Sequence, residues 1–150
     1  ALCPADPSFS FGCARNIGRA RMQGATLAGS HRVGAWRWGG TLDLLDAKNA
    51  DTGARLTRRA AHQASVRADW IEGAWALGAA LVNVGARPEG GATLKTYTLV
   101  DVSARWRVTP AWAIETKVTN LGDVAYQPAL DYQAPGRQVW LGVRYNGAGW

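Results

Sequence analysis

Two histidines, His31 and His62, and two cysteines, Cys3 and Cys13, are the side chains whose type alone could do catalytic or metal chemistry. A histidine serves as general base or metal ligand when a carboxylate, thiol or second imidazole lies at a spacing that one turn, helix or strand can bring to it. Neither His31 nor His62 has such a neighbour, and no nucleophile elbow, metal-binding helix or phosphate-cradling glycine loop surrounds any Ser, Asp or His. No catalytic residue, no metal site and no cofactor is expected, and the chain does not read as an enzyme. Cys3 and Cys13 lie in a segment rich in Pro, Ser and Gly. That spacing suits a small disulfide-closed loop in an oxidising compartment, with two free thiols as the alternative.

The charged residues form the next chemical set. A formal net charge of +6 comes from Arg and Lys spread along the whole chain rather than gathered in one stripe, so no nucleic-acid partner is expected. Arg55, Arg58 and Arg59 make one local cluster, which reads as a solvated loop face. The other charges follow a rule of position. Arg37 and Asp43, Arg67 and Asp69, Asp101 and Arg105, and Glu115 and Lys117 each sit two, four or six residues apart, and each pair alternates with apolar neighbours.

That alternation identifies the elements that must position them. Trp36, Trp38, Gly40, Leu42 and Leu44 take one parity against Arg37, Gly39, Thr41 and Asp43. Ala64, Val66, Ala68 and Trp70 oppose Gln63, Ser65, Arg67 and Asp69, and Val100, Val102, Ala104 and Trp106 oppose Asp101, Ser103, Arg105 and Arg107. Trp112, Ile114, Thr116 and Val118 oppose Ala113, Glu115, Lys117 and Thr119, and Val139, Leu141, Val143 and Tyr145 oppose Trp140, Gly142 and Arg144. A period of two is a strand, because successive side chains leave a pleated backbone on opposite faces. Trp75 to Gly85 is a further strand, apolar on both faces. A first strand, about 17–31, changes parity at Gly24, which predicts a β-bulge there. Seven strands are expected.

The connections alternate in length. His31 to Ala35, Ile71 to Ala74 and Arg107 to Ala111 are tight turns built on Gly34, Gly73 and Pro110, whereas Asp46 to Thr57, Ala86 to Lys95 and Gly122 to Pro135 are long loops. Short turns on one rim and long loops on the other describe a membrane-spanning barrel. No run approaches the roughly 20 apolar residues a membrane helix needs. The predicted class is all-β, an antiparallel transmembrane barrel segment of about seven strands. Closed single-chain barrels start at about eight, so partner strands from a larger barrel are expected at both edges.

Trp36, Trp70, Trp75, Trp106 and Trp112 all sit beside the tight turns on the apolar parity. Tryptophan at a bilayer boundary keeps its ring among the headgroups and its N–H in water, so these five are the expected membrane girdle and outer-membrane lipid an expected partner. The opposite parity, with Arg37, Asp43, Arg67, Asp69, Asp101, Arg105, Glu115 and Lys117, is expected to line the lumen.

Several stretches resemble the C-terminal barrel portion of TonB-dependent outer-membrane receptors, and within them the vitamin B12 (cobalamin) receptor branch. Asn16-Ile17-Gly18-Arg19-Ala20-Arg21-Met22-Gln23-Gly24 is similar to that branch's strand opening, Leu45-Asp46-Ala47-Lys48-Asn49-Ala50 to its following loop, and Leu56-Thr57-Arg58-Arg59-Ala60 to the return. Asn120-Leu121-Gly122-Asp123 with Tyr126 resembles the element before the last long loop, with Gly122 where the family has Phe, and Pro135-Gly136-Arg137 resembles the opening of the final strand. The resemblance implies part of a barrel of about 22 strands around a plug, in the outer membrane of a Gram-negative bacterium. It implies import of a scarce large ligand, cobalamin or another large chelate, with energy passed through TonB to an N-terminal region upstream. Residues 1–15 would be an extracellular loop and 16–147 the seven strands, with the plug domain absent. Val143 and Tyr145 would belong to the final-strand signal read by the barrel assembly machinery. A passive porin and a soluble ligand-binding barrel with the apolar parity inside are the competing readings.

Overall fold

The computed structural model describes residues 18–147, so the disulfide expected between Cys3 and Cys13 and the loop expected over 1–15 lie outside the described residues. Among the described residues nine strands run in chain order: β1 (Ala20–Val33), β2 (Trp36–Asn49), β3 (His62–Glu72), β4 (Trp75–Val84), β5 (Arg87–Glu89), β6 (Ala92–Leu94), β7 (Tyr97–Arg107), β8 (Trp112–Thr119) and β9 (Gln138–Tyr145). Seven of them form one sheet in the order β1-β2-β3-β4-β7-β8-β9, each antiparallel to the next, and β5 and β6 pair as a separate hairpin. The seven expected strands are the seven of this sheet.

The tight turns follow from glycine. Val33 pairs with Trp36 and Glu72 with Trp75, leaving the two-residue loops Gly34-Ala35 and Gly73-Ala74. Gly34 and Gly73 both take φ of 56°, which a residue without Cβ adopts freely and which matches the first position of a hairpin turn twisted like its strands. On the same edge, the β7–β8 turn is tied by Thr109, whose hydroxyl accepts from the Trp112 amide at 3.0 Å.

Three expectations need correction. No bulge interrupts β1, whose pairing with β2 is continuous from Ala20–Asn49 to Val33–Trp36. The change of parity at Gly24 has a different cause. β1 and β2 are 14 residues each, longer than the roughly 9–11 needed to cross an apolar layer. Their long-loop ends, beyond the level of Leu44, therefore stand where both faces meet water and no alternation is required. For the same reason Asp46 to Asn49 are strand, and the first long loop begins later than expected. Third, the loop after β4 contains the β5–β6 hairpin, turned by Gly90 and Gly91 at φ of 57° and 84°, a Gly-Gly signal overlooked in the sequence.

The sheet has no conventional core. Among the described residues the buried apolar side chains are Ala47, Ala60, Leu94 and Ala113, while Leu27 and Leu141 are each 72% exposed. A single layer that leaves its largest apolar groups uncovered is built to meet an apolar solvent on that face.

Candidate functional site

Directly paired residues share a face, so the register decides which side chains keep company. One face carries Leu27, Gly29, His31 and Val33 of β1 beside Trp36, Trp38, Gly40, Leu42 and Leu44 of β2. It continues through Val66, Ala68 and Trp70, then Trp75, Leu77, Ala79 and Leu81, then Val100, Val102, Ala104 and Trp106. It closes with Trp112, Ile114, Thr116 and Val118 beside Val139, Leu141, Val143 and Tyr145. Above the tryptophan band and up to the level of Leu44, no Asp, Glu, Lys or Arg among the described residues falls on this face; at the turn margin Glu72 shares it, opposite Trp75.

The structure brings the five tryptophans into one band beside the turns. Trp36 stands opposite Trp70 and Trp75 opposite Trp106, the latter two stacked 5.5 Å apart at 6°. Trp112 lies 4.8 Å from Tyr145, which the sequence placed on the apolar parity and in the final-strand signal but not in the girdle. His31 meets the edge of Trp38 at 5.7 Å, so it is part of this aromatic band.

The opposite face holds the eight expected polar residues, but not as one group. Arg37, Arg67, Asp69, Arg105, Glu115 and Lys117 line a common concavity of about 400 Å³ toward the turn end, together with Ser103 and Trp140. Arg67 grips Asp69 with two hydrogen bonds at 2.8 and 2.7 Å, and Arg144 reaches Glu115 across β8–β9 at 2.9 Å. Trp140 and Arg144 were missed as members of this cluster. Trp140 folds flat over Gly142, where a Cβ would fall inside its indole, so the glycine is what lets the ring lie against the strand. The two remaining residues stand apart. Asp43 accepts from the Thr26 hydroxyl at 2.5 Å, and Asp101 accepts the Asn120 amide at 3.0 Å, anchoring the last long loop.

Sequence reasoning also missed a buried cluster where the long loops meet. Arg58 donates from Nε to the Glu89 carboxylate at 2.8 Å and from its amide to Pro88 at 2.8 Å. Arg87 donates to the carbonyls of Gln127 and Pro128 at 3.0 and 2.6 Å and lies over the Tyr97 ring, which packs on Tyr126. Asn120, at φ of 50°, closes its own turn by exchanging two 2.9 Å bonds with the Val124 backbone. No group of three or more metal-ligating side chains occurs among the described residues.

A one-layer antiparallel sheet with an uncharged aromatic-edged face and a charged concave face is a segment of a membrane barrel wall. The chain belongs to the TonB-dependent receptor family: the model of that family's β-barrel matches residues 3–121. It is accordingly part of an outer-membrane protein of the Gram-negative type. A vitamin B12 transporter, BtuB, of Photobacterium profundum is 27% identical over 151 residues, covering 97% of this chain and 25% of that protein. The chain thus spans about a quarter of that relative's length. Among solved structures, the ferric-catecholate import receptor Fiu of E. coli K12 superposes with a TM-score of 0.76 at 16% identity, over 84% of this chain and 21% of its own. The pyoverdine-bound FpvA of P. aeruginosa gives 0.75 at 17%, over 84% and 19%, and the copper transporter OprC gives 0.70 at 19%, over 84% and 24%. At these identities the likeness is one of fold.

Proposed function

We propose that this chain is part of the barrel wall of a receptor that imports a scarce large ligand across the outer membrane with energy supplied through TonB. The observation that carries the reading is the segregation of charge: the uncharged face, edged by its tryptophan band, fits lipid, and the charged concave face fits a wet lumen. An Arg or Lys at the lipid midplane would cost about 2–4 kcal/mol, which accounts for the one-sided placement of the charges. Trp36, Trp70, Trp75, Trp106 and Trp112 are then the periplasmic girdle, and the concavity around Arg67 and Glu115 faces a plug that lies outside this chain. Residues 16–147 act as the strand-bearing wall, with Val143 and Tyr145 offered to the assembly machinery. The long loops, held together at Glu89, Arg87 and Asn120, form the extracellular side that first meets the ligand.

Cobalamin is the proposed ligand, supported by alignment with a vitamin B12 transporter along nearly the whole chain. The full-length receptor should fractionate with the outer membrane, show heat-modifiable gel mobility and bind labelled cobalamin that unlabelled cobalamin displaces. Recovery in the soluble fraction would overturn the membrane reading. Binding of an iron chelate with no competition by cobalamin would overturn the ligand alone.

A further inference from the structure

A row of cations at the long-loop end of β1 and β2 has no part in the reading above. Arg21 stands directly opposite Lys48 across β1–β2, and Lys48 stands opposite Arg55 in an isolated bridge on its other side. The bridge is the close, non-hydrogen-bonded kind, flanked by Asn49 N to Ala54 O at 2.8 Å and Leu56 N to Ala47 O at 2.9 Å. The three side chains therefore leave one face side by side, and it is the face of Leu27, Leu42 and Leu44.

Like charges directly opposite one another destabilise a sheet, and here the relief is partial. Lys48 Nζ meets Asp46 at 3.0 Å, and the neighbouring Arg19 is matched by Asp51 at 2.6 Å. Among the described residues Arg21 donates only to the neutral Gln23 amide, at 2.8 Å, and the Arg55 side chain has no hydrogen bond or ion pair. Height supplies the second observation. Lys48 lies twelve residues along β2 from Trp36. At about 3.4 Å per residue and a tilt of roughly 40°, that is about 31 Å above the tryptophan band. The apolar band of a barrel is about 25 Å tall, so the row stands just beyond it, at the headgroups of the outer leaflet.

We propose that Arg21, Lys48 and Arg55 form a docking site for the phosphate groups of the outer-leaflet glycolipid, lipopolysaccharide, whose acyl chains lie along Leu27, Leu42 and Leu44 below. Guanidinium groups match phosphate oxygens in a two-pronged geometry, and an anion inserted into the row removes the repulsion that the protein leaves standing. The site rests on the receptor reading only in requiring this face to look outward to lipid.

The test uses the full-length receptor in detergent micelles, with native mass spectrometry of bound lipid A carrying two phosphates and of the same lipid A dephosphorylated. The wild type should retain the phosphorylated form about tenfold better. The pair Arg21→Gln and Arg55→Gln should lower that retention roughly ten- to thirtyfold. Arg21→Lys with Arg55→Lys should keep most of it, and Arg137→Gln, on another long loop, should leave it unchanged. Equal retention of both lipids, or equal loss in the Arg137 variant, overturns the proposal, as does complete displacement by millimolar inorganic phosphate, which marks a site for the free anion. Heat-modifiable mobility of each variant is read in parallel. Its loss in the wild type contradicts the membrane reading, whereas its retention with charge-insensitive lipid binding contradicts this site alone.

Discussion

An arginine placed at Val66 measures directly which solvent the uncharged face meets. Val66 is 53% exposed and lies four residues along β3 from Trp70. At about 3.4 Å per residue and a tilt of roughly 40°, it stands about 10 Å above the tryptophan band, near the middle of an apolar layer about 25 Å tall. Leu44, on the same face, lies eight residues from Trp36 and so about 21 Å up, at the far margin. Val66→Arg should cost about 2–4 kcal/mol and Leu44→Arg about 0–1 kcal/mol. The gap of about 2–3 kcal/mol is roughly a thirty- to 150-fold difference in folding equilibrium. The neighbouring Ser65→Arg, on the charged face, should cost little beyond the 2.8 Å hydroxyl contact with Thr41. Denaturant titration of the full-length receptor refolded into phosphatidylcholine vesicles reads all three. Equal costs at Val66 and Leu44 would refute the argument, since a water-excluding protein core charges for a buried arginine without regard to height along the strand.

Three further outcomes follow from the loops and turns. Gly73→Val forces a Cβ and a branched side chain onto a φ of 56°, and should destabilise by about 1–3 kcal/mol, with Gly73→Asn milder because Asn tolerates that region; folding yield into vesicles compares the two. Arg58→Ala leaves the Glu89 carboxylate, only 5% exposed, without its 2.8 Å partner, and should loosen the loop by about 1–3 kcal/mol. Hydrogen exchange over 87–94 should accelerate while that of β3 and β4 stays unchanged. Asn120→Gly keeps the φ of 50° but loses two bonds, whereas Asn120→Ala loses the bonds and strains the backbone. Proteolysis of the loop over 120–137 should therefore be faster for Ala than for Gly.

Five of the strands were legible because they alternate with a period of two, and the tight turns because Gly34 and Gly73 announce them; β4, apolar on both faces, was legible from its bounding turns instead. The loop cluster was not. Arg87 and Glu89 meet partners 31 to 41 residues away, Asn120 closes its turn through a left-handed backbone, and no local pattern encodes such a meeting. The apparent bulge at Gly24 shows the reverse failure, since an alternation rule assumes a boundary between two solvents and β1 runs past it. The concavity likewise admitted Arg37, Arg67, Asp69, Arg105, Glu115 and Lys117 but left out Asp43 and Asp101, because height along the strand, unlike parity, depends on the stagger between neighbours.

From the chain alone came the element type, the sidedness of the five alternating strands and the alternation of short and long connections, all of which follow from nearest-neighbour stereochemistry. Register was decided only in three dimensions. Stacking Trp75 on Trp106, setting Arg21, Lys48 and Arg55 abreast and locking Glu115 to Arg144 each require that strands far apart in sequence slide to one alignment. That alignment is chosen by backbone pairing summed over the whole sheet, not by any residue's own neighbours.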